Sequence, residues 1–416
     1  MPDTRVLKQR WPTPLKWALY ALAGAWLTWR IVLLGMASHQ AQELENPEAA
    51  LKLDAHHPGA HLALGLRERT NNPEAARAHL QASIDANPAD GRAYAALGRL
   101  LEIRGEGEPA RKAMETASRL SPQRSDVQME VAAYWMRQGN LERALGHWNT
   151  VLRHRNDLHP QVFPELLLLA SDPAHHAAFM ALLKQPVPWW PAFFNHVASR
   201  APKTNTVRVL YNLQLDGPNA PTPDMLRAYL ARLQKEGDWL EAWFVWLNNL
   251  PKEQLGKMGY LYNGSFETPL SGLGFDWIVE NHPAVSLSTA STYDTSGERA
   301  LRVSFRGQRV QFQHLHQYLM LPPGNYSLKG RVRPDRLLVE KGMQWALYCV
   351  GKNKPLAVTG RFRGSEPWTH FRTAFDIPAS GCPVQMLRLE LAGTIRLDFD
   401  ALGTIWFDSL VIEKVH

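Results

Sequence analysis

Side chains able to do chemistry stand at informative spacing in only a few places in this sequence. His314 and His316 flank Leu315 and would share one face of a strand, yet neither has an acid partner in sequence. Asp398 and Asp400 would also share one strand face, whereas a glycosidase needs two opposed carboxyls held by different elements. His56-His57 and His175-His176 are adjacent pairs whose members leave a helix on different faces, and neither they nor His79 form an HExxH metal pattern. Cys349 and Cys382 are the two cysteines; outside the cytoplasm they would form one disulfide, inside it two buried thiols. No Gly-rich phosphate loop, GxSxG elbow or CxxC occurs. The expectation is a binding protein, not an enzyme, with no catalytic residue and no cofactor assigned.

The elements that position these residues follow from composition and pattern. At 416 residues and 45% hydrophobic, the chain can build two or three domains, and 20% charged with 10% aromatic residues describes ordered globular structure. The net charge of +7 is mildly basic, but no run of Lys and Arg interleaved with aromatics appears, which argues against nucleic acid.

Arg5, Lys8, Arg10 and Lys16 face a single acid, Asp3, in the first 16 residues. Trp17 to Ala37 is then apolar for about the length of a bilayer core, interrupted by Arg30, which can snorkel towards the far end. The positive flank places 1–14 in the cytoplasm as a basic tail, 15–37 as a transmembrane anchor, and the rest outside. The alternatives are a signal peptide cleaved near Gly35-Met36-Ala37 or a buried helix. His39 to Glu45 reads as a short polar linker.

Gly91 to Asn156 is the most regular stretch. From Gly91, the residues Tyr94, Leu97, Gly98, Leu101, Gly105, Ala110, Met114, Ala117 and Pro122 recur, 34 positions later, as Gln128, Val131, Ala132, Trp135, Gly139, Ala144, Trp148, Val151 and Asn156. This period, with small residues where two helices touch, resembles the tetratricopeptide repeat (TPR) family. The resemblance implies helical hairpins that stack and bind a protein partner, with Tyr94, Leu97, Gly98, Ala110, Ala117, Pro122, Trp135, Ala144 and Trp148 as packing positions. Residues 44–160 are read as TPR repeats and 161–250 as divergent TPR-like hairpins. Trp189-Trp190, Trp239, Trp243 and Trp246 are read as packing between helices.

Near Pro251 the pattern changes to period two with turn residues between runs. Arg299–Arg306, Asn325–Arg333, Gln344–Val350, Trp368–Ile377, Val384–Leu391 and Thr404–Glu413 read as strands of a two-sheet sandwich. In order, Asn263-Gly264-Ser265-Phe266-Glu267, Trp277, Gly297-Glu298-Arg299-Ala300-Leu301, Pro323-Gly324-Asn325-Tyr326, Trp368 and Phe407-Asp408-Ser409-Leu410 resemble the galactose-binding-like jelly roll of carbohydrate-binding modules. The likeness covers nearly all of 260–416. It implies a structural calcium ion at Glu267 and Asp408, with carbonyls completing the shell. It also implies glycan contacts at exposed aromatics, with Tyr348, Trp277 and Tyr318 as candidates and Trp345 expected in the core. By strand alternation Arg302, Arg306, Lys329, Arg331, Arg333 and Arg372 form an outward row that either faces an acidic polysaccharide or is the wet side of a sheet.

The fold class is therefore multidomain α plus β: an N-terminal transmembrane helix, a TPR-type α-solenoid, and a C-terminal antiparallel β-sandwich of jelly-roll type. The expected function is a non-enzymatic periplasmic scaffold on the inner membrane that binds an envelope protein in exopolysaccharide or O-antigen assembly or export. The alternative is a glycan-binding protein whose solenoid is a stalk, and a third is a polysaccharide-modifying enzyme.

Overall fold

A computed structural model describes residues 13–42, 45–256 and 258–415. Arg5, Lys8 and Arg10 of the basic tail lie outside the described residues. The chain divides into two compact units, one running to Phe193 and including Leu213–Ala220, the other taking Phe194–Asn212 and everything from Pro221. The sequence boundary between helices and strands, at 250–260, is thus not the boundary between compact units.

The first unit begins with α1 (Thr13–Gln42), which runs into the stretch read as a linker as far as Gln42. Then follow α2 (Pro47–Leu53), α3 (Pro58–Glu68), α4 (Pro73–Ala86), α5 (Gly91–Ile103), α6 (Gly107–Leu120), α7 (Ser125–Arg137) and α8 (Leu141–Leu152). Asn46, Asn72 and Asn140 each accept from an amide three residues on, and Pro47 and Pro73 follow two of them at a position where the missing N–H costs nothing. Within each hairpin the small residues face the partner helix, with Ala110, Ala117 and Ala144 fully buried. Trp135 and Trp148 are buried, and Tyr94 and Leu97 pack on the adjoining hydrophobic cluster. Pro122 is a correction: it is exposed in the turn after α6 and not buried at a packing position. After α9 (His159–Ala170) and α10 (His176–Leu183) an aromatic cluster replaces the repeat pattern. Phe163, Phe179, Trp189, Trp190 and Phe193 lie ring against ring, and Trp189 Nε1 donates to Asn149 Oδ1 of α8 at 3.0 Å.

Two helices, α11 (Trp190–Arg200) and α12 (Thr204–Leu215), each have residues assigned to both units. The second unit then holds α13 (Pro223–Glu236), α14 (Trp239–Asn248), the short α15 (Lys252–Leu255) and ten strands. The strands are β1 (Ile278–Val279), β2 (Val285–Ala290), β3 (Ala300–Arg309), β4 (Leu315–Leu319), β5 (Gly324–Val339), β6 (Met343–Cys349), β7 (Pro355–Val358), β8 (Thr369–Ile377), β9 (Gln385–Leu391) and β10 (Asp400–Lys414). One antiparallel sheet has the order β1-β4-β9-β6-β7 and the other β2-β3-β10-β5-β8. Leu301, Val303, Phe305, Tyr326, Leu328, Val332, Trp345, Leu387, Leu389, Ile405 and Phe407 fill the space between them. Trp345 stacks edge-on against Phe407 at 5.2 Å and lies 5.4 Å from Trp277, which is fully buried and therefore no ligand contact. A disulfide joins Cys349, at the end of β6, to Cys382 in the turn before β9.

Helices and sandwich meet inside this unit. Trp239, Trp243 and Trp246 recur on one face of α14 and pack against the loops and first sheet of the sandwich. Trp243 lies 4.8 Å and Trp246 5.7 Å from Phe275, Trp246 lies 5.1 Å from Tyr262, and Trp239 lies 4.9 Å from Tyr318. Gly274 has φ +59, and a Cβ there would stand 2.6 Å from Trp246 Cδ1, so glycine is required for this approach. These tryptophans do pack, but against strands and loops and not between repeats.

A polar clamp ties the helices of the unit together. Arg208 Nε of α12 donates to Glu241 of α14 at 2.7 Å, and the Tyr229 hydroxyl of α13 donates to the same carboxylate at 2.6 Å. The Arg208 hydrogen bond holds the Glu241 carboxyl below its ordinary value of 4.5. A carboxyl depressed on folding stabilises fully above its unfolded pKa and loses that contribution as pH falls through its lower folded value. Urea unfolding from about pH 6 down to about pH 3 should show stability falling, with a shallower fall in Glu241→Gln. Equal slopes in the two proteins would contradict the clamp.

Candidate functional site

In the solenoid, α3 packs on α5 and α5 on α7, whereas α4, α6 and α8 approach one another less closely. The stack therefore curves with α3, α5 and α7 on its inner side. Glu102 of α5 accepts from Arg137 of α7 at 2.8 Å, from Gln138 at 3.2 Å and from Arg99 at 2.7 Å. Partial burial works against its charge, but the Arg137 and Arg99 hydrogen bonds outweigh this and hold the carboxyl below its ordinary value. Leu66 and Ile103, by contrast, are exposed large apolar side chains on α3 and α5. An ion-paired strip with exposed apolar residues beside it suits a protein segment more than a small molecule. The Glu102–Arg137 link was missed in the sequence, although its spacing of 35 residues is one repeat period plus one.

In the sandwich, Glu267 and Asp408 reach the same loop from opposite ends of the domain. The Glu267 carboxylate accepts from the amides of Glu298 and Arg299, both at 3.2 Å, and Asp408 Oδ2 accepts from the Ser296 amide at 2.8 Å. A Cβ on Gly297 would lie 2.3 Å from Glu267 Oε1, so the carboxylate occupies the space a side chain would take. Asp408 is fully buried, and its Oδ1 has no hydrogen-bond partner among the described residues. An orphaned buried carboxylate oxygen suits a cation. Among the described residues no group of three or more His, Cys, Asp or Glu is placed to hold a metal, so calcium would take main-chain carbonyls and water beyond these two carboxylates.

The residues expected to contact glycan are placed as follows. Tyr348 is a correction: its ring is buried beneath the Arg388 guanidinium at 4.5 Å, and its hydroxyl donates to Glu390 at 3.0 Å. Tyr318 is covered by Trp239. Arg331 is half-buried: it donates to Asp294 at 3.0 Å and to Ser296 Oγ at 3.2 Å, stands 3.9 Å from Asp408 Oδ2 and lies over Trp368. It steadies the loop that Glu267 and Asp408 hold. Arg302 and Arg372 remain exposed on the outer face of the second sheet, Arg302 over the Trp406 ring.

Cross-strand register aligns Arg302, Trp406 and Arg333 on that face. Arg333, read as outward and wet, is buried under Tyr293 at 4.4 Å, and its guanidinium donates to the Tyr293 hydroxyl and Thr292 Oγ1. Tyr293 was not picked out in the sequence, and nothing in its turn-like surroundings marks it.

The carboxylate and histidine pairs are not brought into catalytic geometry. Asp398 sits in a 3-10 turn, not on a strand, and the amides of Thr394 and Ile395 hold its carboxyl below the ordinary value. Asp400 pairs with Arg309 at 2.9 Å. Burial lowers the pKa of His316, which packs against Tyr318.

No protein-family model matches the chain, and no curated protein matches it. Among solved structures it is similar to a CBM4 chain at 12% identity, covering 37% of this chain and 99% of that one with a TM-score of 0.29. It is similar to TmCBM61 in complex with β-1,4-galactotriose at 20% identity, over 38% of this chain and 99% of that one, with a TM-score of 0.27. It is also similar to MamA, a TPR-like protein, at 20% identity over 31% of this chain and 79% of that one, with a TM-score of 0.25. The solenoid and the sandwich are themselves defined by the chain's own helix stacking and strand order.

The orphaned Asp408 oxygen yields a direct test. Calcium added to EDTA-treated protein should raise the melting temperature of the sandwich, and Asp408→Asn should abolish the rise. An unchanged melting temperature in millimolar calcium would show that the clamp works without a cation.

Proposed function

We propose that the chain is a non-enzymatic, membrane-anchored periplasmic scaffold of the inner membrane. Its solenoid binds an envelope protein partner in exopolysaccharide or O-antigen assembly or export, and its sandwich extends that scaffold. The observation that carries this reading is the two-part surface of α1. Trp17, Leu22, Trp26 and Ile31 are exposed, as a lipid-facing helix requires, while Ala37 near the helix end is fully buried in the first hairpin. The disulfide favours a compartment outside the cytoplasm. Asp398, Asp400 and His316 are engaged in a turn, an ion pair and ring packing, which favours binding over catalysis.

A second reading, binding of an acidic glycan, is favoured by Arg302 and Arg372, both exposed on the outer face of the second sheet, and by the exposed Tyr293 ring over Arg333. Affinity purification of the full chain from membranes separates the two. The scaffold reading expects an envelope polymerase, ligase or transporter to co-purify, and recovery to fall about tenfold in Leu66→Asp/Ile103→Asp. Undiminished recovery in that variant, with polygalacturonate binding that is lost in Arg302→Ala/Arg372→Ala, would favour the glycan reading instead.

A further inference from the structure

The end of α1 carries more than an anchor. If α1 spans a bilayer, as proposed above, the 21 residues from Trp17 to Ala37 rise about 31 Å, close to the roughly 30 Å of a hydrocarbon core. Ala37 then stands at the hydrocarbon edge, and it is also where burial inside the first hairpin begins. No spare chain separates the two environments. The helix continues to Gln42, and the Asn46 amide donates back to the Gln40 carbonyl at 2.9 Å as the chain reverses. Seven residues of α2 then return about 10 Å towards the bilayer.

The return is fixed by one side chain. His57 is buried, its Nδ1 accepts from the Ala60 amide at 3.1 Å, and its Nε2 lies 3.2 Å from Ser38 Oγ. With Nδ1 accepting, Nε2 carries the proton and donates to the serine. The turn between α2 and α3 is thereby held level with Ser38, one residue beyond the hydrocarbon edge. Its exposed residues are Ala55 and His56, with Lys52 exposed just before it, and no large apolar side chain there would enter the acyl region.

We infer that the turn at 54–57 rests on the lipid headgroups of the leaflet from which α1 emerges, so that the bilayer surface is itself a docking partner of the first repeat. Anchor and first hairpin then move as one body. Cleavage after Gly35-Met36-Ala37 would have to cut within a helix and would strip Ala37 from the hairpin.

The test uses the full chain in liposomes, labelled with a fluorophore at Ala55→Cys or at Asn71→Cys, on the opposite edge of the hairpin about 16 Å away along α3. The native cysteines are disulfide-bonded, so the introduced thiol is the one that reacts. Lipids carrying a headgroup nitroxide should quench the label at 55 several-fold more than the label at 71. A flexible Gly-Ser insertion after Ala37, at the hydrocarbon edge, should abolish the difference while the protein stays resistant to alkaline carbonate extraction. Extraction of the uninterrupted protein by carbonate would overturn the anchor reading and this inference together. Carbonate resistance with equal quenching at both positions, or quenching that survives the insertion, would overturn this inference alone.

Discussion

The packing of Trp246 against Phe275, over the gap left by Gly274, is the contact on which the second unit depends. A tryptophan this deeply buried contributes on the order of 3–5 kcal/mol relative to alanine, a large share of a domain's net stability. Trp239 and Trp243 widen the contact, and the Arg208–Glu241–Tyr229 clamp holds the helices that present the three rings. The sandwich is consequently built onto helix α14, and the face carrying Tyr318 is closed by it.

In the first unit Ala37 and the His57–Ser38 hydrogen bond join α1 to the solenoid, and the inner helices carry an ion-paired strip with exposed Leu66 and Ile103 on the same helices. Several chemistry-bearing side chains hold structure. Asp398 caps a turn, Asp400 meets Arg309, and Glu267 with Asp408 holds the loop at Ser296.

Much of the fold was legible because helix and strand periods place residues on faces. The Gly98 and Ala110 positions and the inward alternation of Leu301, Val303 and Phe305 follow from local pattern alone. The candidate site was far less legible, since alternation says which face a side chain leaves but not what then covers it. Tyr348 does leave the outer face, yet Arg388 closes over it. Arg333 does the same beneath Tyr293, which stands 40 residues away in sequence. The tryptophans of α14 showed a packing face, while their partners Tyr262, Phe275 and Tyr318 come from three loops and strands that no single helical period links.

Hydrogen exchange on the full chain tests most directly the claim that α13–α14 and the sandwich are one cooperative unit. The account predicts that amides of α13, α14 and the adjoining β4 share a common opening free energy, and that Trp246→Ala lowers all of them together. Fast exchange in α13 and α14 beside an unaffected, slowly exchanging sandwich would contradict it.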